Sequence, residues 1–167
     1  MKWSDWSLTL AMLLLSACGL QTDVRLRKMP DSSMEPTIRK QEVVREDFSH
    51  FAKQSVKRLD IVVVKDPGRT QQTLIKRVLA LPGETVRVVD YRTYVNGKAL
   101  DEPYVSLSSS APLTPLLRVA DFGPLTVPAG EYFLLADNRI DSYDSRLWKK
   151  STLKSQEILA LVQASSN

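Results

Sequence analysis

The fold class is decided by residues 60–79, which read DIVVVKDPGRTQQTLIKRVL. This segment contains two runs of β-branched and aliphatic residues, 61–64 and 73–79, and Asp66-Pro67-Gly68 closes the first of them. Such runs are typical of buried strands, and a Pro-Gly pair after a polar residue is typical of a turn. Each run therefore predicts a core strand.

The strand pattern continues on the carboxyl side of this segment. Residues 85–89 and 91–95 read as strands, and the following Asn96-Gly97 is a strong hairpin signal, because a two-residue turn of this type needs positive φ. Residues 131–136 predict another strand, whereas 153–162 fit either a short helix or a last strand. The sequence therefore predicts a mostly β fold built from antiparallel sheet.

Length and composition bound the domain organisation. A chain of 167 residues with 43% hydrophobic residues is long enough for one compact domain with one core. Residues 24–167 are predicted to form this β-rich domain. Five of the nine prolines and a run of three serines fall within 101–130, which predicts an extended surface excursion of the same domain.

Charge and the scarcity of two residue types exclude several functions. The 23 Lys and Arg against 19 Asp and Glu give a formal net charge of +4 without a basic stripe, so nucleic acid is not a predicted partner. One cysteine, Cys18, and one histidine, His50, exclude an intramolecular disulfide and a zinc site built from several such residues. No nucleophile motif accompanies His50, so no Ser-His-Asp triad is predicted, and no metal or cofactor is implied.

The amino-terminal segment 1–23 is predicted to meet a membrane. Residues 6–20 form an uncharged, mostly apolar run, shorter than the roughly 20 residues that a transmembrane helix usually needs. The run predicts either a short or tilted anchor or a signal peptide, and Leu15-Ser16-Ala17-Cys18 resembles the bacterial lipobox, whose cysteine is lipidated. The cations that follow, at 25–28, favour a cytoplasmic domain, or alternatively lie against anionic lipid headgroups.

A pair of serines offers a candidate nucleophile. With histidine and cysteine almost absent, a hydrolase of this size has to use a serine or a carboxylate, activated by a lysine or a carboxylate. Ser32 and Ser33 lie between Pro30 and Pro36, which hold the chain extended and so present a hydroxyl rigidly. Taken alone, a serine pair beside proline is also typical of a turn.

Lys76 is the candidate base. Strand alternation places it on one face with Leu74 and Val78, so that its amine would lie among aliphatic side chains. Burial disfavours the charged ammonium and lowers its pKa, which is the condition for a lysine to accept a proton near neutral pH. The alternative is an edge-strand lysine whose amine reaches solvent.

A third segment, residues 132–146, runs from an apolar strand into a dense polar cluster. Three motifs thus follow one another: SMEPT at 33–37, then DIVVV at 60–64 leading to KRVLALPGE at 76–84, and then DNR at 137–139 with SYDSR at 142–146. In this order they resemble the motifs of type I signal peptidases, which are serine peptidases with a Ser/Lys dyad. The resemblance covers roughly residues 28–162 and implies an antiparallel β-sheet peptidase domain.

The resemblance also implies a function and a location. It implies a membrane-bound serine endopeptidase that removes signal peptides from exported preproteins after small residues in Ala-x-Ala sequences. The catalytic domain would face the outer side of a bacterial cytoplasmic membrane. The amino-terminal segment, or a lipid on Cys18, would hold it to the membrane lipids.

The site residues that the resemblance implies can be placed one by one. Ser33 corresponds to the nucleophile of the family and Lys76 to its general base. Ser142 corresponds to a serine that orients the lysine amine, and Asp144 and Arg146 correspond to a supporting salt bridge. The positions that correspond to shallow pockets for small substrate side chains are Met29, Pro30, Met34, Ile38 and Ile75.

Four residues depart from the family pattern. Ile140 and Asp141 stand where Asp and Asn are common, and the other two departures bear on the site. Asp31 stands where relatives carry serine or glycine, beside the backbone N–H of Ser33, and Ala136 stands where glycine is usual and could crowd the lysine. A carboxylate cannot donate a hydrogen bond to an oxyanion, and losing one such donor typically costs about 2.7 to 4 kcal/mol. Asp31 therefore either impairs the site or points to solvent, which would leave a backbone amide or the Ser32 hydroxyl as second donor.

Two further hypotheses follow from the short chain and from Asp31. One is a specialised maturation peptidase of a secretion, conjugation or pilus system. The other is a catalytically weak, membrane-attached relative that binds export substrates without cutting them.

Overall fold

The computed structural model describes residues 23–69, 71–108, 119–140 and 142–164. Cys18 and nearly all of the predicted membrane segment 1–23 lie outside these ranges, so the anchor and the lipobox stay predictions. Within the described ranges, no helix is long and apolar enough to cross a membrane.

The regular secondary structure of the described residues is almost entirely β-strand. In chain order these are β1 (Val24–Lys28), β2 (Val43–Asp47), β3 (Ile61–Lys65), β4 (Thr73–Ala80), β5 (Thr85–Val89), β6 (Arg92–Val95), β7 (Lys98–Ala99), β8 (Phe122–Thr126), β9 (Glu131–Leu135), β10 (Leu153–Lys154) and β11 (Ile158–Ala164). Two short 3-10 helices, His50–Ala52 and Ser155–Glu157, accompany them. This architecture confirms the predicted mostly β, antiparallel fold.

The strands form two sheets. The larger sheet has the order β1-β2-β11-β3-β4-β9-β10, and the smaller has the order β7-β6-β5-β8. Every pair of neighbouring strands in both sheets is antiparallel. The run 73–79 that decided the fold class becomes β4, which lies between β3 and β9 inside the larger sheet.

The side chains on the two faces of β4 belong to different apolar clusters of the core. Leu74 and Val78 pack in a cluster with Trp148, whereas Ile75 packs in another cluster with Met34. Because successive side chains of a strand point to opposite faces, this division follows from the alternation in the sequence. A third cluster, made by the ends of β4 and β9 with β5 and β6, joins the two sheets.

Two segments differ from the sequence-based expectation. The predicted surface excursion 101–130 contains a strand, β8, because its apolar residues pair with β5: Leu125 lies opposite Val86, and Phe122 lies opposite Val88. Gly123 and Pro124 are unfavourable inside a strand, so residue propensities alone do not predict β8. At the carboxyl end, the ambiguous segment 153–162 is resolved as strand, with one turn of 3-10 helix between β10 and β11.

The hairpin between β6 and β7 gives a first testable prediction. Asn96 and Gly97 form its turn with φ values of 50° and 78°, as the two-residue signal predicted. A Cβ added at Gly97 would meet no atom within 4 Å, so the substitution Gly97→Ala tests backbone strain alone. We expect it to lower the free energy of unfolding by about 1 kcal/mol, measured by urea denaturation. Lys98→Ala is the control, and equal losses in the two variants would contradict this account of the turn.

Candidate active site

The predicted nucleophile and the predicted base come from distant parts of the larger sheet. Ser33 lies in the loop between β1 and β2, and Lys76 lies in the middle of β4. The Lys76 amine donates a hydrogen bond to the Ser33 hydroxyl across 43 positions, with Nζ and Oγ 3.3 Å apart. Only 5% of Ser33 and 2% of Lys76 is exposed, so this contact is largely shielded from water.

Lys76 is an interior residue of the sheet. The alternative of an edge-strand lysine is wrong, because β4 is flanked by β3 and β9 and only 2% of Lys76 is exposed. The amine donates a second hydrogen bond to the Ile75 carbonyl at 2.9 Å. These two acceptors hold Nζ beside the serine hydroxyl.

The electrostatic surroundings of Lys76 act in opposite directions. Burial is the largest effect and lowers the pKa of the Lys76 amine below its ordinary value. Four carboxylates favour the charged amine and oppose burial, Asp31 most strongly, then Asp144, Asp137 and Asp66. Because burial outweighs them, the amine is neutral over a wider pH range than a solvated lysine.

The loop that carries Ser33 is fixed by the segment that follows β9. The Asn138 backbone N–H donates to the Ser33 carbonyl at 2.9 Å, and the Asn138 side-chain amide donates to the Ser32 carbonyl at 3.4 Å. The Ser142 hydroxyl donates to the Asn138 carbonyl at 2.6 Å and lies 3.5 Å from the Ser33 carbonyl oxygen. These bonds connect Ser142 to the serine loop, and its predicted contact with the lysine amine stays a prediction.

Asp144 and Arg146 form the ion pair that the resemblance implied. The Arg146 guanidinium donates to both carboxylate oxygens, at 2.9 Å and 2.8 Å, and both side chains are buried. Asp144 also accepts the Ala136 backbone N–H at 3.2 Å, and Arg146 donates to the Arg139 and Val119 carbonyls at 2.7 Å. The pair therefore ties the end of β9 to the polar segment that follows it.

A second buried ion pair was not singled out by the sequence analysis. Arg77, the neighbour of Lys76, donates to both oxygens of Asp137, at 2.8 Å and 2.5 Å. The Thr37 hydroxyl donates to the same carboxylate at 2.5 Å, and the Arg77 guanidinium lies 4.0 Å from the centre of the Tyr104 ring. The sequence does contain a signal for this ion pair, because Arg77 lies among apolar residues in a predicted core strand. An arginine that is buried in this way needs a carboxylate partner.

A cleft of about 260 Å³ opens beside the Ser33–Lys76 contact. Its lining residues are Asp31, Ser32, Ser33, Leu74, Lys76, Ser142 and Tyr143. Leu74 and Tyr143 had no assigned role in the sequence analysis. Tyr143 stands over the turn between β3 and β4, because its hydroxyl is 3.0 Å from the place where Gly68 would carry a Cβ.

None of the five predicted pocket residues is in the lining of this cleft. Met29, Met34, Ile38 and Ile75 are brought together in one buried cluster, each exposing 3% or less of its surface. Pro30 is exposed. The four apolar side chains pack the serine loop against β4, and their role in holding a substrate stays a prediction.

Asp31 is turned toward the serine. Its Oδ1 atom accepts a hydrogen bond from the Ser33 backbone N–H at 2.9 Å. Of the two orientations that the sequence left open, the described structure has the one that occupies this N–H. Ala136, which also departs from the family pattern, is fully buried in the same apolar cluster as Met34 and Ile75.

Comparison with known proteins identifies the family. The family model for signal peptidase, peptidase S26, matches residues 2–166. The chain belongs to this family. It is 42% identical over 125 residues to signal peptidase I V of Bacillus subtilis, with 71% of this chain and 73% of the relative covered. It is 33% identical over 152 residues to a probable signal peptidase I-2 of Synechocystis, with 87% and 66% covered.

A solved structure supports the same assignment. The crystal structure of a signal peptidase I from Enterococcus faecalis V583 superposes with a TM-score of 0.52 at 31% identity and covers 66% of this chain and 98% of that one. The comparisons confirm the predicted family and the class of enzyme, a serine endopeptidase. They name the family and its members, while the roles of individual residues in this chain rest on the geometry above.

Proposed function

We propose that this signal peptidase cleaves signal peptides from exported preproteins with Ser33 as nucleophile and Lys76 as general base. The observation that carries the proposal is the buried contact of 3.3 Å between Lys76 Nζ and Ser33 Oγ. A neutral amine at that distance can accept the hydroxyl proton. The lowered pKa of Lys76 supports the neutral form.

The proposed reaction has two halves. In the first, Lys76 takes the Ser33 proton while Oγ attacks the scissile carbonyl carbon, and the resulting tetrahedral intermediate expels the amine of the mature protein, which takes the proton from Lys76. This leaves an ester between Ser33 and the signal peptide. In the second half, Lys76 deprotonates a water that attacks the ester, and the proton returns to Ser33 as the signal peptide leaves as a carboxylic acid.

Small side chains at the first and third positions before the cut are the proposed specificity. The cleft beside the dyad is small, and the apolar residues that correspond to the family's pockets, Met34, Ile38 and Ile75 among them, are packed in one buried cluster that includes the chain neighbours of Ser33 and Lys76. A small cleft with closely packed surroundings leaves no room for large substrate side chains. Ala-x-Ala ends therefore fit this site best.

The proposed location is the outer face of a bacterial cytoplasmic membrane, with the apolar run 6–20 as the membrane-directed segment. β1 begins shortly after this run and carries Arg25, Arg27 and Lys28, and Leu26 between them exposes 74% of its surface. An exposed apolar side chain among cations suits contact with anionic lipid headgroups. This arrangement supports lipids as a second partner besides the preprotein.

The experiment for the proposed substrate uses the full chain in anionic lipid vesicles and a preprotein with an Ala-x-Ala end. We expect one cut after the last alanine, mapped by the mass of both products. Precursors with phenylalanine at the first or third position before the cut should be cleaved at least about 100-fold more slowly, because a few methylenes in a hydrophobic pocket cost about 1–3 kcal/mol each. Equal rates for all three precursors would contradict the proposed specificity.

The pH dependence of cleavage gives a further prediction. Lys76 must be neutral to accept the serine proton, and burial lowers its pKa. The value of kcat/KM should therefore rise as pH increases through the pKa of Lys76, and it should level off below the ordinary lysine value of about 10.4. A rate that is flat from acid to alkaline pH, or that rises only above this value, would count against Lys76 as the base.

A further inference from the structure

The backbone N–H of Ser33 already has a partner in this structure. It donates a hydrogen bond to Oδ1 of Asp31 at 2.9 Å, while the hydroxyl of the same serine accepts a hydrogen bond from the Lys76 amine. In serine peptidases, the N–H of the nucleophile is one of the donors that bind the substrate carbonyl oxygen as it becomes an oxyanion. Such an oxyanion lies about 2.7–3.1 Å from its donors. The Asp31 oxygen, at 2.9 Å from the Ser33 nitrogen, is within the same range and uses the same N–H.

We propose that Asp31 is an inhibitory residue of the site, whose carboxylate caps the Ser33 N–H in the free protein and must turn away before a peptide is cleaved. The proposal rests on the proposed function, because it assigns a task to the Ser33 N–H in that reaction. It makes Asp31 a residue that acts through Ser33 and Lys76 rather than on the substrate itself.

The cap affects the reaction by competition. A hydrogen bond to a charged acceptor favours the capped form of the protein. It makes the uncapped form, in which the Ser33 N–H is available, roughly tenfold to hundredfold less populated. When only a small fraction of a protein is competent to bind, the apparent affinity falls by that fraction. The cap therefore raises KM for the precursor.

The same charge also acts on the base. Among the carboxylates around Lys76, Asp31 is the one that most strongly raises the pKa of the amine against the effect of burial. The others are Asp144 and Asp137 from the segment after β9 and Asp66 from the turn between β3 and β4. Asp31 thus opposes the proposed reaction at two points, the donor for the oxyanion and the neutral amine.

The position of Asp31 allows the cap to open. The residue is exposed and lines the open cleft together with Ser33 and Lys76. A carboxylate at the rim can rotate into water without losing its hydration, so the closed form is held mainly by the one hydrogen bond to the Ser33 N–H. A peptide carbonyl that enters the cleft competes for that N–H directly.

Two variants separate the cap from the charge. Asp31→Asn keeps an oxygen acceptor at the same place and removes the negative charge, whereas Asp31→Ala removes both. We expect Asp31→Ala to raise kcat/KM by roughly tenfold to hundredfold, and Asp31→Asn to raise it less. Both variants should move the rising limb of the pH profile to lower pH by the same amount. Asp121→Asn is the control, because its side chain also accepts a backbone N–H, that of Asp90, but lies in the smaller-sheet region outside the cleft.

The outcomes distinguish the two proposals. If the parent protein cleaves an Ala-x-Ala precursor, loses this activity as Ser33→Ala, and is not accelerated by Asp31→Ala, the inhibitory role is wrong and the proposed function stands. A fall in kcat/KM in Asp31→Ala, with rescue by Asp31→Asn, would likewise overturn it and show that the bond shapes the loop. If neither the parent nor Asp31→Ala cleaves the precursor, both proposals fail.

A measurement without substrate tests the cap directly. In ¹H–¹⁵N spectra of the full chain in detergent, a Ser33 amide that donates a hydrogen bond to the Asp31 carboxylate should resonate downfield. We expect this shift to be absent in Asp31→Ala and unchanged in Asp121→Asn. A Ser33 amide resonance that is the same in the parent and in Asp31→Ala would overturn the cap.

Discussion

Replacing Lys76 with methionine should reduce kcat/KM for an Ala-x-Ala precursor by about 10⁴-fold. General acid–base catalysis by one side chain typically contributes about 10²- to 10⁴-fold, and Lys76 is proposed to move a proton in both halves of the reaction, so the upper end applies. Methionine has a similar length and carries no charge. Because Lys76 is 2% exposed, the variant fills the same space without a buried amine and should remain folded.

Lys65→Met is the matched control for this loss. Lys65 is an exposed lysine at the end of β3, the strand next to β4, so its replacement makes the same change in composition at a solvated position. We expect the control to cleave the precursor at the parent rate. A Lys76→Met variant that is folded by circular dichroism and retains more than about a hundredth of the parent rate would exclude Lys76 as the general base.

Replacing Asp144 with alanine should produce the largest loss of stability. The substitution leaves the buried Arg146 guanidinium without its carboxylate, and it removes the acceptor of the Ala136 backbone N–H. Breaking a buried ion pair from one side typically costs about 3–5 kcal/mol. We expect a loss of this size in the free energy of unfolding, measured by urea denaturation monitored by tryptophan fluorescence.

The exposed pair of Arg25 and Asp23 is the control for this prediction. Its two side chains are 60% and 50% exposed at the same N–O distance of 2.8 Å as the buried pair. Solvent screens such a pair, so Asp23→Ala should leave the unfolding midpoint unchanged within error. If Asp144→Ala were as stable as Asp23→Ala, the buried pair would not be what holds the segment after β9 in place.

Much of the fold could be predicted from local sequence because the strands that matter carry dense β-branched runs. The segment 60–79 gave β3 and β4, and Asn96-Gly97 gave the hairpin turn. β8 was missed because Gly123 and Pro124 interrupt its pattern, and only its pairing with β5 makes the segment a strand. Strand pairing between distant segments is a tertiary effect that propensity does not contain.

The candidate site likewise has features that could be predicted from the sequence and features that could not. The resemblance carried by the three motifs implied that Ser33 and Lys76 meet, and the structure has their side chains in contact. The pair formed by Arg77 and Asp137 was not predicted, because several carboxylates in the polar cluster were equally available on sequence grounds. The orientation of Asp31 was also open, since a rotation about one side-chain bond decides whether its carboxylate meets the Ser33 N–H or water.

The central claim is that Ser33 is the residue that cuts the preprotein, and cleavage by serine variants of the full chain tests it most directly. The measurement is the rate of appearance of the mature product from an Ala-x-Ala preprotein, with the cut mapped by mass, for the parent, Ser33→Ala and the exposed-loop control Ser55→Ala. The account predicts the parent rate for Ser55→Ala and no product above the uncatalysed background for Ser33→Ala. Cleavage by Ser33→Ala at the same bond and at a rate near that of the parent would contradict it.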